Sequence, residues 1–393
     1  MMVSPLLRRL AVYAALIALP VVPQATLAAE PFTLNVILPL SGFGAFLGKS
    51  EQAALGVAED VINKQGGING RPVHFVYSDD QSTPQLGLQL LTRLLETHPP
   101  IVLGSTLTAI CGAMASAVKD GPVMWCFSPA YHPAPDGWVY ASGIPAADSI
   151  AASARYLHGR AWDKIAILAS TDTSGADAER SFDNALALPA TAGAHVVARE
   201  HFALGDISVA AQVARIKAAE PQAVYAMTSG AAFGTILHGL ADAGFNVPVM
   251  TMSSNESFAE MKQFASVLPQ QLFFASVPMF SPQALPNGPV KRAIATYQTA
   301  FQAHNVEPDT GGNQTWDMAF IVIGALRKLG TDVSPAKLRA YLDDLHGYAG
   351  INGVYDFHTY PKDGVGANWA MIQRWDPSSQ TFAGASRAGG APL

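Results

Sequence analysis

A fixed order repeats through most of this chain: a short apolar run, a break of glycine and small polar residues, then an amphipathic helical segment. Unbroken apolar runs suit strands buried on both faces, and their alternation with helices predicts a doubly wound parallel sheet. The runs fall at residues 33–38, 72–77, 101–103 and 123–127, with helical segments at 50–64, after Pro84 and at 109–119. The order restarts after Gly143-Ile144-Pro145, with strands at 164–169, 195–199, 223–227 and 247–250 between helices at 148–157, 176–186, 206–219 and 232–243. A chain of 393 residues exceeds one ordinary domain. The expected architecture is therefore α/β, with two doubly wound parallel-sheet lobes and a cleft between them. From residue 272 the order changes: a strand at 273–275, a proline-rich stretch, helices at 290–304, 314–329 and from Ser334-Pro335, and strands at 354–357 and 369–375. The late helices are expected to cover the first lobe, so the chain crosses between lobes more than once.

Residues 101–133 read as one wall of the cleft. Ile101-Val102-Leu103 is broken by Gly104, and Ser105, Thr106 and Thr108 follow before the next helix; Val123 to Phe127 ends in Ser128-Pro129-Ala130. Two neighbouring strands thus deliver hydroxyls and free backbone amides to the carboxyl edge of a sheet, where open α/β sheets bind ligands. The helix after the first strand turns its N-terminus to the same place, which suits an anion.

Residues 1–29 read as a signal peptide: Arg8 and Arg9, an apolar segment from Leu10 to Val22, and small residues at Thr26-Leu27-Ala28-Ala29 for cleavage. The apolar core is about half of the ~20 residues a membrane span needs, and no cysteine stands at the cleavage site, so neither an anchor nor a lipoprotein is expected. Removal of Arg8 and Arg9 takes the formal net charge from −6 to −8. Without a basic patch, nucleic acid is not an expected partner. Cys111 and Cys126 are the only cysteines. In an oxidising compartment they are expected to pair, closing a loop of about 15 residues for ~3 kcal/mol in the entropy model; two buried free thiols are the alternative.

No residue pattern calls for catalysis. Residues 42–48, GFGAFLG, follow a strand and precede a helix, and Asp79 or Asp80 would be the ribose ligand of an NAD-dependent enzyme. The run is one residue too long for that fingerprint and sits in a secreted chain, so this stays a remote alternative. No GxSxG or HExxH occurs and the ten histidines are scattered, so neither cofactor nor metal site is expected.

Pro39-Leu40-Ser41-Gly42, Gly66 to Arg71, Asp79-Asp80-Gln81, Leu103-Gly104-Ser105, Ser128-Pro129-Ala130, Asn313 to Asp317 and Asn352 to Phe357 follow one another in a specific order and spacing. In this the whole mature chain resembles the periplasmic solute-binding proteins of branched-chain amino acid type ABC importers, the type I periplasmic binding proteins. The resemblance implies two lobes joined by a three-crossover hinge: residues 30–144 plus 276–356 as the N-terminal lobe, 145–275 plus 357–383 as the C-terminal lobe, and a flexible tail at 384–393. It implies a monomer in the periplasm that closes on a small carboxylate and hands it to a permease and ATPase complex in the inner membrane. A ligand-sensing receptor for a signalling partner is the alternative on the same fold.

By position, the resemblance places Ser105, Thr108, the backbone near Ala130 and His132 at the ligand carboxylate, with His132 standing where the family has a hydroxyl. Phe46 and Leu47 take the side-chain pocket. The second lobe departs from amino-acid binders, offering Ser229, Ser253 or Ser254, and Asn255 where an aromatic and an acidic residue are usual. An unpaired ammonium in a dry cleft is costly. Either Glu256 or Asp172 holds it, making the ligand an amino acid, or the ligand is an aromatic or other organic acid without an ammonium.

Overall fold

The computed structural model describes residues 30–393, so the expected signal peptide lies outside the described residues. The first lobe opens with β1 (Phe32–Leu38), α1 (Ala45–Lys64), β2 (Val73–Asp79), α2 (Pro84–Leu95), β3 (Ile101–Gly104), α3 (Thr108–Ala115), β4 (Val123–Cys126) and β5 (Val139–Ala141). The five strands are all parallel, in the order β2-β1-β3-β4-β5. β3 and β4 are buried at every position, in keeping with their unbroken apolar composition. α1 turns Ala54, Leu55, Ala58 and Ile62 onto the sheet and starts at Ala45 rather than near Ser50, because the glycine-rich loop is already winding.

The chain then builds the second lobe from α4 (Ala146–Gly159), β6 (Lys164–Ser170), α5 (Thr173–Leu186), β7 (His195–Phe202), α6 (Ala210–Ala218), β8 (Ala223–Met227), α7 (Ala231–Asp242), β9 (Val249–Thr251), α8 (Phe258–Gln263) and β10 (Leu272–Ser276). It returns to the first lobe with α9 (Pro289–Ala303), α10 (Thr310–Leu329), α11 (Pro335–Asp343) and the hairpin of β11 (His346–Ala349) and β12 (Val354–Asp356). A third passage leads to β13 (Met371–Asp376) and β14 (Thr381–Gly384). The second sheet runs β14-β13-β10-β9-β8-β6-β7. Its last two strands are antiparallel, so this lobe is mixed at one edge rather than parallel throughout. A short returning strand and its hairpin partner need no helical crossover, which is the condition for antiparallel pairing.

Helices α9 and α10 pack on α1, and α11 packs on β4, as expected of helices that cover the first lobe. Gly311 makes the α10 approach possible: a Cβ there would lie 2.5 Å from the Glu51 amide nitrogen. Trp125 of β4 stacks on Tyr140 at 5.3 Å and meets the edge of Phe357 at 6.1 Å, locking the hairpin region to the sheet. Cys111 and Cys126 form a disulfide with their Cα atoms 5.9 Å apart, so the free-thiol alternative falls. Residues 384–393 are not the flexible tail expected from their small side chains. The Arg155 Nε donates to the Gly389 carbonyl at 2.6 Å and the Ile372 amide donates to Ser386 Oγ at 2.8 Å, tying the segment to α4 and β13.

Candidate functional site

The two sheets turn their topological switch points toward each other. In the first lobe the strand order reverses between β1 and β3, and in the second between β6 and β8. The loops leaving those strands meet across a cavity of about 320 Å³, within the range of small-molecule sites. Its polar wall on the first lobe is Thr106, Thr108, Ser128 and the backbone of Ala130. The Thr108 and Ser128 hydroxyls lie 2.7 Å apart, and the Ala130 amide donates to Ser128 Oγ at 3.3 Å. No side chain caps α3, so the Thr108 and Ala109 amides have no intrahelical acceptor at a helix end that favours negative charge. Phe43, Phe46, Leu47, Leu107, Ile150 and Met252 supply the apolar part of the lining.

On the second lobe, Asp172 lines the cavity but is occupied as the N-cap of α5. Its Oδ2 accepts from the Ser174 amide at 3.1 Å and from Ser174 Oγ at 2.6 Å, and its Oδ1 accepts from Ser170 Oγ at 2.5 Å. Ser229 also lines the cavity, its hydroxyl 2.5 Å from that of Ser254.

Thus Phe46, Leu47, Thr108, Ala130, Asp172 and Ser229 are brought to one cavity. Four expected residues are not. Ser105 is buried behind the wall and donates to Asp80 Oδ2 at 2.6 Å, because it precedes Thr106 on a chain that presents alternate side chains to opposite faces. Asn255 is fully buried: its Oδ1 accepts from the Gly230 amide at 3.0 Å, and its Nδ2 donates to the Thr228 carbonyl at 2.8 Å and Thr251 Oγ1 at 2.7 Å. Glu256 is buried against the Ser276 hydroxyl, and burial pushes its carboxyl well above the usual range, so it offers no charge to an ammonium. His132 stands outside the lining. Its Nε2 lies 3.0 and 3.1 Å from the two carboxylate oxygens of Asp177, on α5 of the other lobe. Gln314, at the start of α10, lines the cavity and accepts from Thr106 Oγ1 at 3.3 Å; it belongs to the Asn313–Asp317 segment that carries the resemblance, which assigned it no role at the ligand.

The lobes touch. Besides the His132–Asp177 bond, Phe46 of the first lobe rests on Gly230 of the second, where a Cβ would come within 2.9 Å of the ring. The cleft is therefore closed. The His132–Asp177 bond spans the two lobes, and Asp177 also has Arg180 of its own helix as a partner. His132→Ala is expected to weaken ligand affinity roughly fivefold, the equivalent of one hydrogen bond, while the unfolding midpoint of the ligand-free protein stays put. Calorimetric titration beside urea denaturation checks this; an unchanged affinity would remove the bond from closure.

Several buried carboxyls have no cationic partner among the described residues. Burial pushes Glu260 up to about 8 and Asp80 and Asp317 up to about 6, and raises Glu51 well above its ordinary range, against the opposing pull of the Thr106 hydroxyl on Glu51. Each binds its proton more tightly folded than unfolded, where carboxyls titrate near about 4. Stability is therefore gained as pH falls through the folded values and levels off near the unfolded ones. Lowering pH from 8.5 to 5.5 is expected to stabilise the fold by at least ~2 kcal/mol, and Glu260→Gln is expected to flatten that profile. Urea unfolding across the range checks it, and a profile that rises with pH contradicts it.

The sequence profile of the periplasmic binding protein family matches residues 31–381. Leu/Ile/Val-binding protein homolog 3 of Brucella melitensis biotype 1 is 28% identical over 100 residues, a match that covers 25% of this chain and only 27% of that protein. An extracellular ligand-binding receptor from Rhodopseudomonas palustris HaA2 superposes with a TM-score of 0.80 at 20% identity, covering 90% of this chain and 99% of that one. LivJ, the branched-chain amino acid transporter substrate-binding protein of Streptococcus pneumoniae, solved with isoleucine, gives 0.73 at 19% identity over 88% of this chain and 95% of that one.

Proposed function

The chain belongs to the periplasmic binding protein family, with its type I fold, and on that premise we propose that it is the substrate-binding component of an ABC importer. It captures a small carboxylate between its lobes in the periplasm and delivers it to a permease and ATPase complex in the inner membrane. The observation that carries this reading is the uncapped N-terminus of α3, with the hydroxyls of Thr108 and Ser128 beside it, facing an enclosed cavity with an apolar wall. Anions are favoured at such a helix end, and amide and hydroxyl donors replace the water that a carboxylate loses.

In the open form the carboxylate docks on the first lobe. Closure then sets Ser229 and Thr173 against the far end of the ligand, makes the His132–Asp177 bond and seats Phe46 on Gly230. A ligand drives this only if it binds the closed form better than the open one. No bond in the ligand is made or broken.

A thermal-shift and calorimetric screen of the protein tests the reading, with amino acids, benzoate, hydroxybenzoates and short organic acids as the panel. A binder present at a hundredfold excess over its Kd stabilises by ~2.7 kcal/mol. Thr108→Ala is expected to weaken the best carboxylate by about 1–3 kcal/mol, the range for a hydrogen bond to a charged group. A panel in which no carboxylate binds would defeat the reading, and an unchanged affinity in the variant would remove Thr108 from the site.

A further inference from the structure

Resting on the carboxylate reading, we infer that the ligand is an amine-free carboxylic acid: a 2-hydroxy, 2-oxo or aromatic acid with an apolar body about the size of a leucine or phenylalanine skeleton.

The argument starts from the charge of the cavity. Among the described residues, Asp172 is the single ionisable one in its lining. An ammonium has three donors and no acceptor, so it needs oxygen partners, one of them anionic if it is to leave water cheaply. Asp172 already receives three hydrogen bonds, from Ser170 Oγ, the Ser174 amide and Ser174 Oγ, and its charge is set against the α5 N-terminus. Gln314 Oε1 and the Ser229 and Ser254 hydroxyls, already engaged with Thr106 and with each other, carry no charge, so they can accept from an ammonium but not neutralise it. The acids just behind the walls are turned elsewhere, Asp80 to Ser105 and Glu256 to Ser276.

First-turn residues of α1, α3 and α4 line the cavity, none of these helices has a side-chain cap, and among the described residues no basic side chain lines it. Three such helix ends at one small volume favour negative charge and oppose a buried cation. The far end of the cavity is rich in hydroxyls, among them Thr171, Thr173, Ser229 and Ser253, which can donate to or accept from a neutral oxygen. That end therefore suits a hydroxyl, a carbonyl or a ring edge better than an ammonium.

Calorimetry on the whole mature protein with matched pairs tests this: L-leucine against 2-hydroxy-4-methylpentanoate and 4-methyl-2-oxopentanoate, L-phenylalanine against phenyllactate and phenylpyruvate, with benzoate alongside. At least one amine-free acid is expected to bind about tenfold or more tighter than its amino counterpart. An amino acid that binds as tightly as its amine-free partners, or more tightly, overturns the inference and leaves the carboxylate reading standing. The methyl ester of the best acid separates the two claims: it is expected to lose binding, and an ester as tight as the acid overturns the carboxylate reading itself. A panel with no binder at all overturns both.

Discussion

Gly230→Ala is expected to weaken ligand capture by roughly 5- to 150-fold, the range that 1–3 kcal/mol of overpacking produces. Gly230 caps α7 at φ +65°, and its open side faces the Phe46 ring across the cleft. Any Cβ there meets the ring inside van der Waals contact, so the lobes cannot close as far. The positive φ adds a backbone cost for alanine, but that cost is paid in the open and closed forms alike and appears as lost stability rather than lost affinity. The two effects separate in a double-mutant cycle. In a Phe46→Ala background the ring is gone, and Gly230→Ala is expected to cost little further affinity, although Phe46→Ala itself weakens binding by removing an apolar wall. Calorimetric Kd values for the four proteins check the cycle. An equal loss in both backgrounds would mean that the contact is not what limits closure.

The second large effect is on stability. Replacing both Cys111 and Cys126 by Ala is expected to lower the unfolding free energy by about 2–4 kcal/mol, because the bridge closes a loop with a sequence separation of 15. The bridge joins α3 to the end of β4, the two elements that present Thr108 and Ser128 to the cavity. Both sulfurs lie in the apolar cluster with Val102, Ile110, Met114 and Met124, and alanine leaves a void there that adds to the loss. Ligand affinity is expected to fall as well, since the hydroxyl pair loses its rigid support. Urea denaturation of the double variant and of the reduced wild-type protein measures the effect. Coincident unfolding curves with and without the bridge would contradict it.

Much of the fold was legible because a buried parallel strand is a locally recognisable run of apolar residues and each such run here is followed by a helix. Short pieces were not. β5 is three residues long in a segment rich in proline and glycine, and β14 depends on pairing with β13 rather than on its own composition. The late helices could be assigned to the first lobe, but the anchoring of residues 384–393 on α4 rests on an arginine that lies 234 positions from its partner.

The candidate site was legible to the level of the sheet edge and no further. Thr108, Ala130 and Ser229 follow strands in small polar segments, and the cavity collects them. Ser105 lies in the same segment as Thr106 and faces the other way, since neighbouring residues on an extended chain alternate, whereas Asn255 ends a 3-10 turn at Ser253–Asn255 that points its amide back to Gly230 and Thr228. Asp172 was read for its charge, yet an aspartate directly before a helical segment is an N-cap signature, and the Ser174 amide takes up that charge. Gln314 and the Asp177 partner of His132 are brought in by tertiary packing alone.

The most direct test of the central claim is a crystal structure of the protein with the tightest-binding carboxylate from the screen. The account predicts the ligand in the interlobe cavity, its carboxylate within hydrogen-bonding reach of Thr108 Oγ1 and of the α3 or Ala130 amides, and its apolar body against Phe46. A carboxylate seated instead on Ser229 and Ser254 with no polar contact to α3, or a ligand bound outside this cavity, would contradict it.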